Sequence, residues 1–263
     1  MNAAEKARLA RELAEKEELE QKEQDEKLKL EQQDINNTND EIKEITNNLK
    51  VGSIVKFGRY PQTHKEDPIE WIVIDSNCEE VKLLSKSILD CCEFHSELTG
   101  TSRFGYDISV LRDFLNEEFL NRAFTKKEQD KIKRCKLDSK FDETKLARTC
   151  TTEDKVYLLS EYDISNMKKK FLKTQLTDYA KTKGKKPRWW IRDVSAEWVP
   201  IKKTTEKTLC LTAIYYLKGK RNQIVLQSPI TTKVNGVNVR NEPELKQDFK
   251  TYGVRPAITI ILD

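Results

Sequence analysis

Trp189-Trp190-Ile191-Arg192-Asp193 opens the strand-rich C-terminal part of the chain, and its reading decides the fold class. Aromatic and β-branched residues in a short run suit a pleated, half-buried surface, so the stretch reads as a strand. Strand-like runs recur downstream at residues 198–201, 209–214, 223–227, 237–239 and 255–262. Upstream the pattern is mixed. Residues 53–57 and 70–75 read as strands, and residues 81–84 return after Asn77-Cys78-Glu79-Glu80 as the second arm of a hairpin. Over residues 109–119, Val110, Leu111, Phe114, Leu115 and Phe119 share one helical face. Thr125 with Glu128, and Ser160 with Asp163, sit at capping-box spacing; the first predicts a helix to about Cys135. Residues 156–159 form a short apolar run that predicts a buried strand. A helix-bearing first half followed by a strand-rich second half predicts an α+β domain.

Residues 1–50 differ from the remainder. They hold nine Lys/Arg against fourteen Asp/Glu, a net of −5; the rest holds 39 against 30, a net of +9. An acidic arm on a basic body implies two parts, divided as 1–50 and 51–263. Residues 3–33 are rich in helix formers. Leu28, Ile35, Ile42 and Leu49 recur every seven residues with Ile45 at the second seam position, a short coiled-coil pattern. Asn36-Asn37-Thr38-Asn39-Asp40 interrupts it, and Thr38 with Glu41 can restart a helix, so the arm reads as one kinked helix or two. It is either a solvated spacer or a homo-oligomerising coil over residues 28–49.

In a strand, alternate side chains face opposite sides. Trp189 and Ile191 then share one face, Trp190 and Arg192 the other. One tryptophan is expected in the core. The other, beside Arg192, would form a ligand platform. The opposing reading packs both indoles and pairs Arg192 with a core carboxylate. Lys181-Thr182-Lys183-Gly184-Lys185-Lys186-Pro187-Arg188 directly precedes the pair. Basic residues beside aromatics suit nucleic acid, while a solvated loop is the plainer alternative. The candidate binding residues are Trp190, Arg192, Trp198, Arg188 and Lys186. Arg255, before Pro256, reads chiefly as half of a buried ion pair.

Other chemistries find little footing. His64 and His95 are the two histidines, and no metalloprotease, nucleophile-elbow or P-loop pattern occurs. No catalytic residue, cofactor or metal is assigned. Asn241-Glu242-Pro243-Glu244 has only a faint likeness to a calcium loop, which needs six to eight oxygens. The six cysteines are irregularly spaced and read as buried or surface thiols; the vicinal Cys91-Cys92 pair is a minor redox or lipidation candidate. No run approaches the roughly 20 apolar residues of a membrane span, and the N-terminus lacks a signal-type apolar core, so a cytoplasmic protein is expected.

A set of short motifs runs in fixed order: Gly58-Arg59-Tyr60-Pro61-Gln62, Pro68-Ile69-Glu70-Trp71-Ile72-Val73-Ile74-Asp75, Leu83-Leu84-Ser85-Lys86, Leu111-Arg112-Asp113-Phe114-Leu115-Asn116, Asp154-Lys155-Val156-Tyr157-Leu158-Leu159-Ser160, Thr177-Asp178-Tyr179-Ala180-Lys181, Trp189-Trp190-Ile191-Arg192 and Gly253-Val254-Arg255-Pro256-Ala257. Together they resemble a bacterial family, domain of unknown function 6273, across nearly all of residues 51–263. Family members usually follow the Trp-Trp run with Pro-Gly; here Val194-Ser195 stands there, so the turn after that strand should differ. Phe114 replaces a usual Trp. More distantly, a Trp-rich strand, paired strands and a closing strand with an Arg resemble the C-type-lectin-like fold. Formylglycine-generating enzymes share that fold and use a cysteine pair near its end, whereas Cys210 stands alone beyond residue 150 here.

The expectation is a non-catalytic recognition module of unknown ligand, carried on the helical arm. A protein partner is favoured. A nucleic-acid or polyanion binder is the alternative, and an enzyme of unrecognised type, with a pocket near His64 or His95, the third.

Overall fold

The computed structural model describes residues 3–63, 65–95, 105–139, 150–200, 207–227, 232–234, 237–239 and 251–262. The chain divides into two compact units, Met1–Lys43 and Glu44–Asp263. The first lies on α1 (Ala3–Thr46), one continuous helix with no restart at Thr38. Good helix formers on both sides outweigh the weak preferences of the Asn-rich stretch, each worth only tenths of a kcal/mol, roughly. Leu19, Leu28 and Leu30 are exposed along it. Ile45 belongs to the second unit and is fully buried there.

The body is α+β. β1 (Ile54–Pro61), β2 (Glu66–Ser76) and β3 (Glu80–Ser85) form an antiparallel meander. The Asn77 side chain accepts from the Glu79 and Glu80 N–H groups and closes the expected β2–β3 turn. Gly58 adopts φ +67° where the β1–β2 register shifts, and a Cβ there would lie 2.5 Å from the Phe124 ring, so two independent constraints demand glycine.

β4 (Asp90–Cys92) precedes a helical layer. α2 (Val110–Asp113), capped by Ser109, continues through a π-helical stretch, Phe114–Phe119, into α3 (Leu120–Ala123). Thr125 and Glu128 make a full capping box on α4 (Lys126–Lys131). That helix ends before the expected Cys135, because β5 (Cys135–Ser139) begins there and pairs with β6 (Cys150–Asp154). β7 (Val156–Tyr157), α5 (Glu161–Ser165), capped by Ser160, and α6 (Asp178–Lys183) follow.

β8 (Arg188–Pro200) is one strand of 13 residues, not the two short ones expected; without Pro-Gly nothing turns the chain after Asp193. It pairs with β9 (Lys207–Leu217), which pairs with β10 (Lys220–Gln227). β11 (Thr232–Val234) and β12 (Val237–Val239) pair with each other. β13 (Tyr252–Val254) and β14 (Ala257–Ile261) replace the single closing strand expected. Arg255-Pro256 separates them, and Pro256 has no N–H for a ladder.

The strands form two five-stranded sheets, ordered β1-β2-β3-β14-β7 and β10-β9-β8-β13-β4. One apolar cluster joins them: Leu84, Tyr157 and Ala257 from the first meet Trp189, Ile191 and Tyr216 from the second. The break at Arg255-Pro256 is where the chain crosses from one sheet to the other.

Candidate functional site

β8 is an inner strand of its sheet, and both of its faces are covered. Trp189 packs in the inter-sheet cluster and is fully buried. Trp190, on the opposite face, is also buried, at 1% exposure. It stacks on Tyr252 (centroids 4.5 Å apart), meets Phe94 edge-on, and donates its indole N–H to the Cys92 carbonyl at 2.9 Å. The expectation of one exposed tryptophan is corrected here: alternation is real, but each face has its own core.

Arg192 is corrected with it. Its guanidinium donates to the Leu158 carbonyl at 2.7 Å and to the Asp163 carboxylate at 2.9 Å. Burial by itself would raise the Asp163 pKa, but Arg192 and Lys82 outweigh it and hold the carboxyl below its usual range. Arg255 is fully buried without an ion pair among the described residues, contrary to the pairing expected. It donates to the carbonyls of Ser85 and Phe171 and lies 5.1 Å from the Trp189 ring centre. Burial lowers its pKa to about 9. The side chain of Trp198 lies outside the described residues, as do His64 and residues 241–244.

The accessible candidates are Lys186 and Arg188, and the fold builds a groove from them. Thr177 caps α6, which ends at Gly184; the loop then delivers Arg188 to the start of β8. A Cβ at Gly184 would lie 2.5 Å from the Cys91 sulfur, so the loop sits directly on β4. Lys183, Gly184, Lys185, Lys186 and Arg188 form one wall, Thr251 and Tyr252 the other, around about 320 Å³. The Arg188 guanidinium lies 5.2 Å from the Tyr252 ring centre and 5.7 Å from that of Tyr215, and it donates to the Tyr252 hydroxyl at 3.0 Å. Its Nε is enclosed with no acceptor among the described residues. Trp190, Tyr252 and Arg188 thus make a ladder from core to surface.

Lys183 is the one groove cation with a carboxylate partner among the described residues, Asp90 at 2.7 Å. Burial works against its charge, but Asp90 and Tyr179 prevail and its pKa is raised. Asp90 also accepts from the Tyr60 hydroxyl at 2.6 Å. Sequence reasoning singled out Arg188 and Lys186 but missed Tyr252 and Tyr215. Tyr252 stands immediately before the Gly253–Ala257 motif, a signal that carries no hint of what faces it.

Other candidates fall into place. Burial raises the thiol pKa of Cys91 to about 11 and of Cys92 to about 12, so both stay protonated near neutral pH. Burial lowers His95 to about 4. No group of His, Cys, Asp or Glu among the described residues has metal-site geometry. No described helix is long and apolar enough to cross a membrane.

The remaining motifs hold one another. Trp71 donates to the Phe57 carbonyl. Arg112 pairs with Asp154 at 2.8 Å. Asn116 donates to the Val156 carbonyl and accepts from Lys155 and Val156. Tyr179 N–H donates to the Gln62 carbonyl. A match over residues 79–262 identifies Domain of unknown function (DUF6273). The chain belongs to that family. The DUF6273 match begins at Glu79, after the two earliest motifs, yet β1 and β2, which carry them, complete the same sheet. Comparison with curated proteins and with solved structures gave no match.

Proposed function

We propose that this DUF6273 chain is a non-catalytic recognition module of lectin-like architecture, carried on its helical arm, that binds an acidic segment of a protein partner in the Lys183–Arg188 groove. The carrying observation is Arg188, held against two tyrosine rings beside Lys185 and Lys186, with no carboxylate on any of the three among the described residues. A lectin-like architecture is supported by the parallel pairing of the Trp-rich strand with the closing segment, Trp189 opposite Gly253.

Protein is favoured over nucleic acid for a physical reason. Single-stranded binding relies on open aromatic faces for bases. Tyr252 is only 5% exposed, with Trp190 stacked on it and Arg188 lying over it. The groove therefore offers charge and donors but no stacking platform. Carboxylates need only the former.

The test titrates the full chain with a glutamate-rich peptide and with single-stranded DNA of equal charge, over a salt series. The reading predicts tighter peptide binding, lost in the double variant Arg188→Ala, Lys186→Ala. Tighter DNA binding with a steep salt slope would favour the polyanion reading instead. Binding of neither would refute both.

A further inference from the structure

We infer that the groove takes a phosphoryl group, so that the partner segment is read in its phosphorylated form. This rests on the groove being the binding face. Lys183, Lys185, Lys186 and Arg188 line it, and the single carboxylate that reaches any of them among the described residues is buried Asp90, on Lys183. That leaves an excess of about three positive charges around 320 Å³. One carboxylate answers one of them. A phosphoryl ester brings about −1.5 to −2 charges and three acceptor oxygens in one compact group.

The arrangement of donors points the same way. Arg188 is fixed before any ligand arrives, by Tyr252 and Tyr215 and by its bond to the Tyr252 hydroxyl. A planar fork held in place loses little freedom on binding and suits bidentate oxygen anions. Lys185 and Lys186 add mobile point charges at the rim, where both are exposed. Phosphorylated motifs are read by clustered arginine donors, and here one fixed fork with ammonium groups around it supplies the same charge-assisted hydrogen bonds. The rigid side of the groove comes from the core: Trp190 behind Tyr252, and Gly253, where a Cβ would lie 2.5 Å from the Arg188 carbonyl.

The experiment compares two short glutamate-rich peptides, identical except that one carries serine and the other phosphoserine at the centre. Affinity for the full chain is read by fluorescence anisotropy at constant ionic strength, near pH 7.5 and near pH 5.5, on either side of the second phosphate ionisation at about 6. Phosphoserine should bind at least about tenfold tighter at the higher pH, and that gain should shrink at the lower. Arg188→Lys keeps the charge but not the fork; it should weaken the phosphoserine peptide more than the serine peptide, so that the ratio of the two affinities falls toward one. Melting curves confirm that the variant is folded. Equal affinities for the two peptides, both still dependent on Arg188, would overturn the phosphoryl inference and leave the acidic-segment reading standing. Failure of both peptides, or binding of both that survives the double variant Arg188→Ala, Lys186→Ala, would overturn both.

Discussion

Asp163 shows how much a single side chain carries in this fold. It caps α5 through Ser160, pairs with Lys82 from β3 at 2.6 Å, and receives Arg192 from β8. Its pKa is depressed, so the stability it contributes is present above the unfolded value, near 3.9, and is lost as pH falls through the folded one. Asp163→Asn should therefore destabilise the body by about 3 kcal/mol at neutral pH, with the deficit narrowing as acid is added below about pH 4. Denaturant melts at several pH values would show this; a pH-independent deficit would not fit. His95 acts in another window. Burial lowers its pKa to about 4, so the native state resists protonation that the unfolded chain accepts near 6.5. Stability should fall as pH drops from about 6.5 toward 4, and His95→Gln should flatten that slope in the same melts. At this scale the sequence was partly legible. Capping boxes are local, so Thr125–Glu128 and Ser160–Asp163 could be seen in one dimension. The carbonyl partners of Arg255 come from Ser85 and Phe171, distant in sequence, and no pattern announces them.

β8 explains why a correct strand assignment led to an incorrect surface. Alternation places Trp189 and Trp190 on opposite faces, as read from sequence, but it says nothing of what covers each face. Here the other sheet covers Trp189, while Phe94, Tyr215 and Tyr252 cover Trp190. The long β8–β9 ribbon was equally hidden, since polar residues in mid-strand masked its continuity. Close approach at the glycines gives a sharp test of the element packing around the groove. At Gly184 the obstacle to a Cβ is the Cys91 sulfur; at Gly253 it is the Arg188 backbone oxygen together with Ile88. Both Gly→Ala changes should destabilise, by about 1–3 kcal/mol, with Gly253→Ala the costlier because a strand carbonyl cannot step aside. Adding Cys91→Ala should recover part of the Gly184→Ala loss and none of the Gly253→Ala loss. Chemical denaturation of the single and double variants decides it.

Across the whole molecule, the eight motifs serve as the joints of the body: Arg112 to Asp154, Asn116 to Val156, Arg192 to Leu158, Arg255 to Ser85. That is why they identify the family and the α+β class so readily and yet name no ligand. The groove depends instead on loop residues 183–188 and on Tyr252, where side-chain chemistry rather than pattern decides. The arm makes its own prediction. The second unit starts at Glu44, and Ile45 is one of its fully buried residues. Removing residues 1–43 keeps Ile45, whereas removing residues 1–50 should cost about 2–5 kcal/mol through its loss. Sedimentation of the shorter deletion tests self-association through the arm: a fall to monomer mass supports it, an unchanged mass refutes it.

The most direct test of the account separates the two arginines that lie four residues apart on β8. Arg188→Ala and Arg192→Ala are compared for thermal melting and for binding of the glutamate-rich peptide. Arg188→Ala should melt within a few degrees of the native chain, roughly, and bind at least about tenfold more weakly. Arg192→Ala should lose about 3–5 kcal/mol and melt about 10 °C lower, yet bind normally below its transition. Normal binding by Arg188→Ala, or a folded and thermally unchanged Arg192→Ala that no longer binds, would contradict the division between a motif-built frame and a loop-built groove.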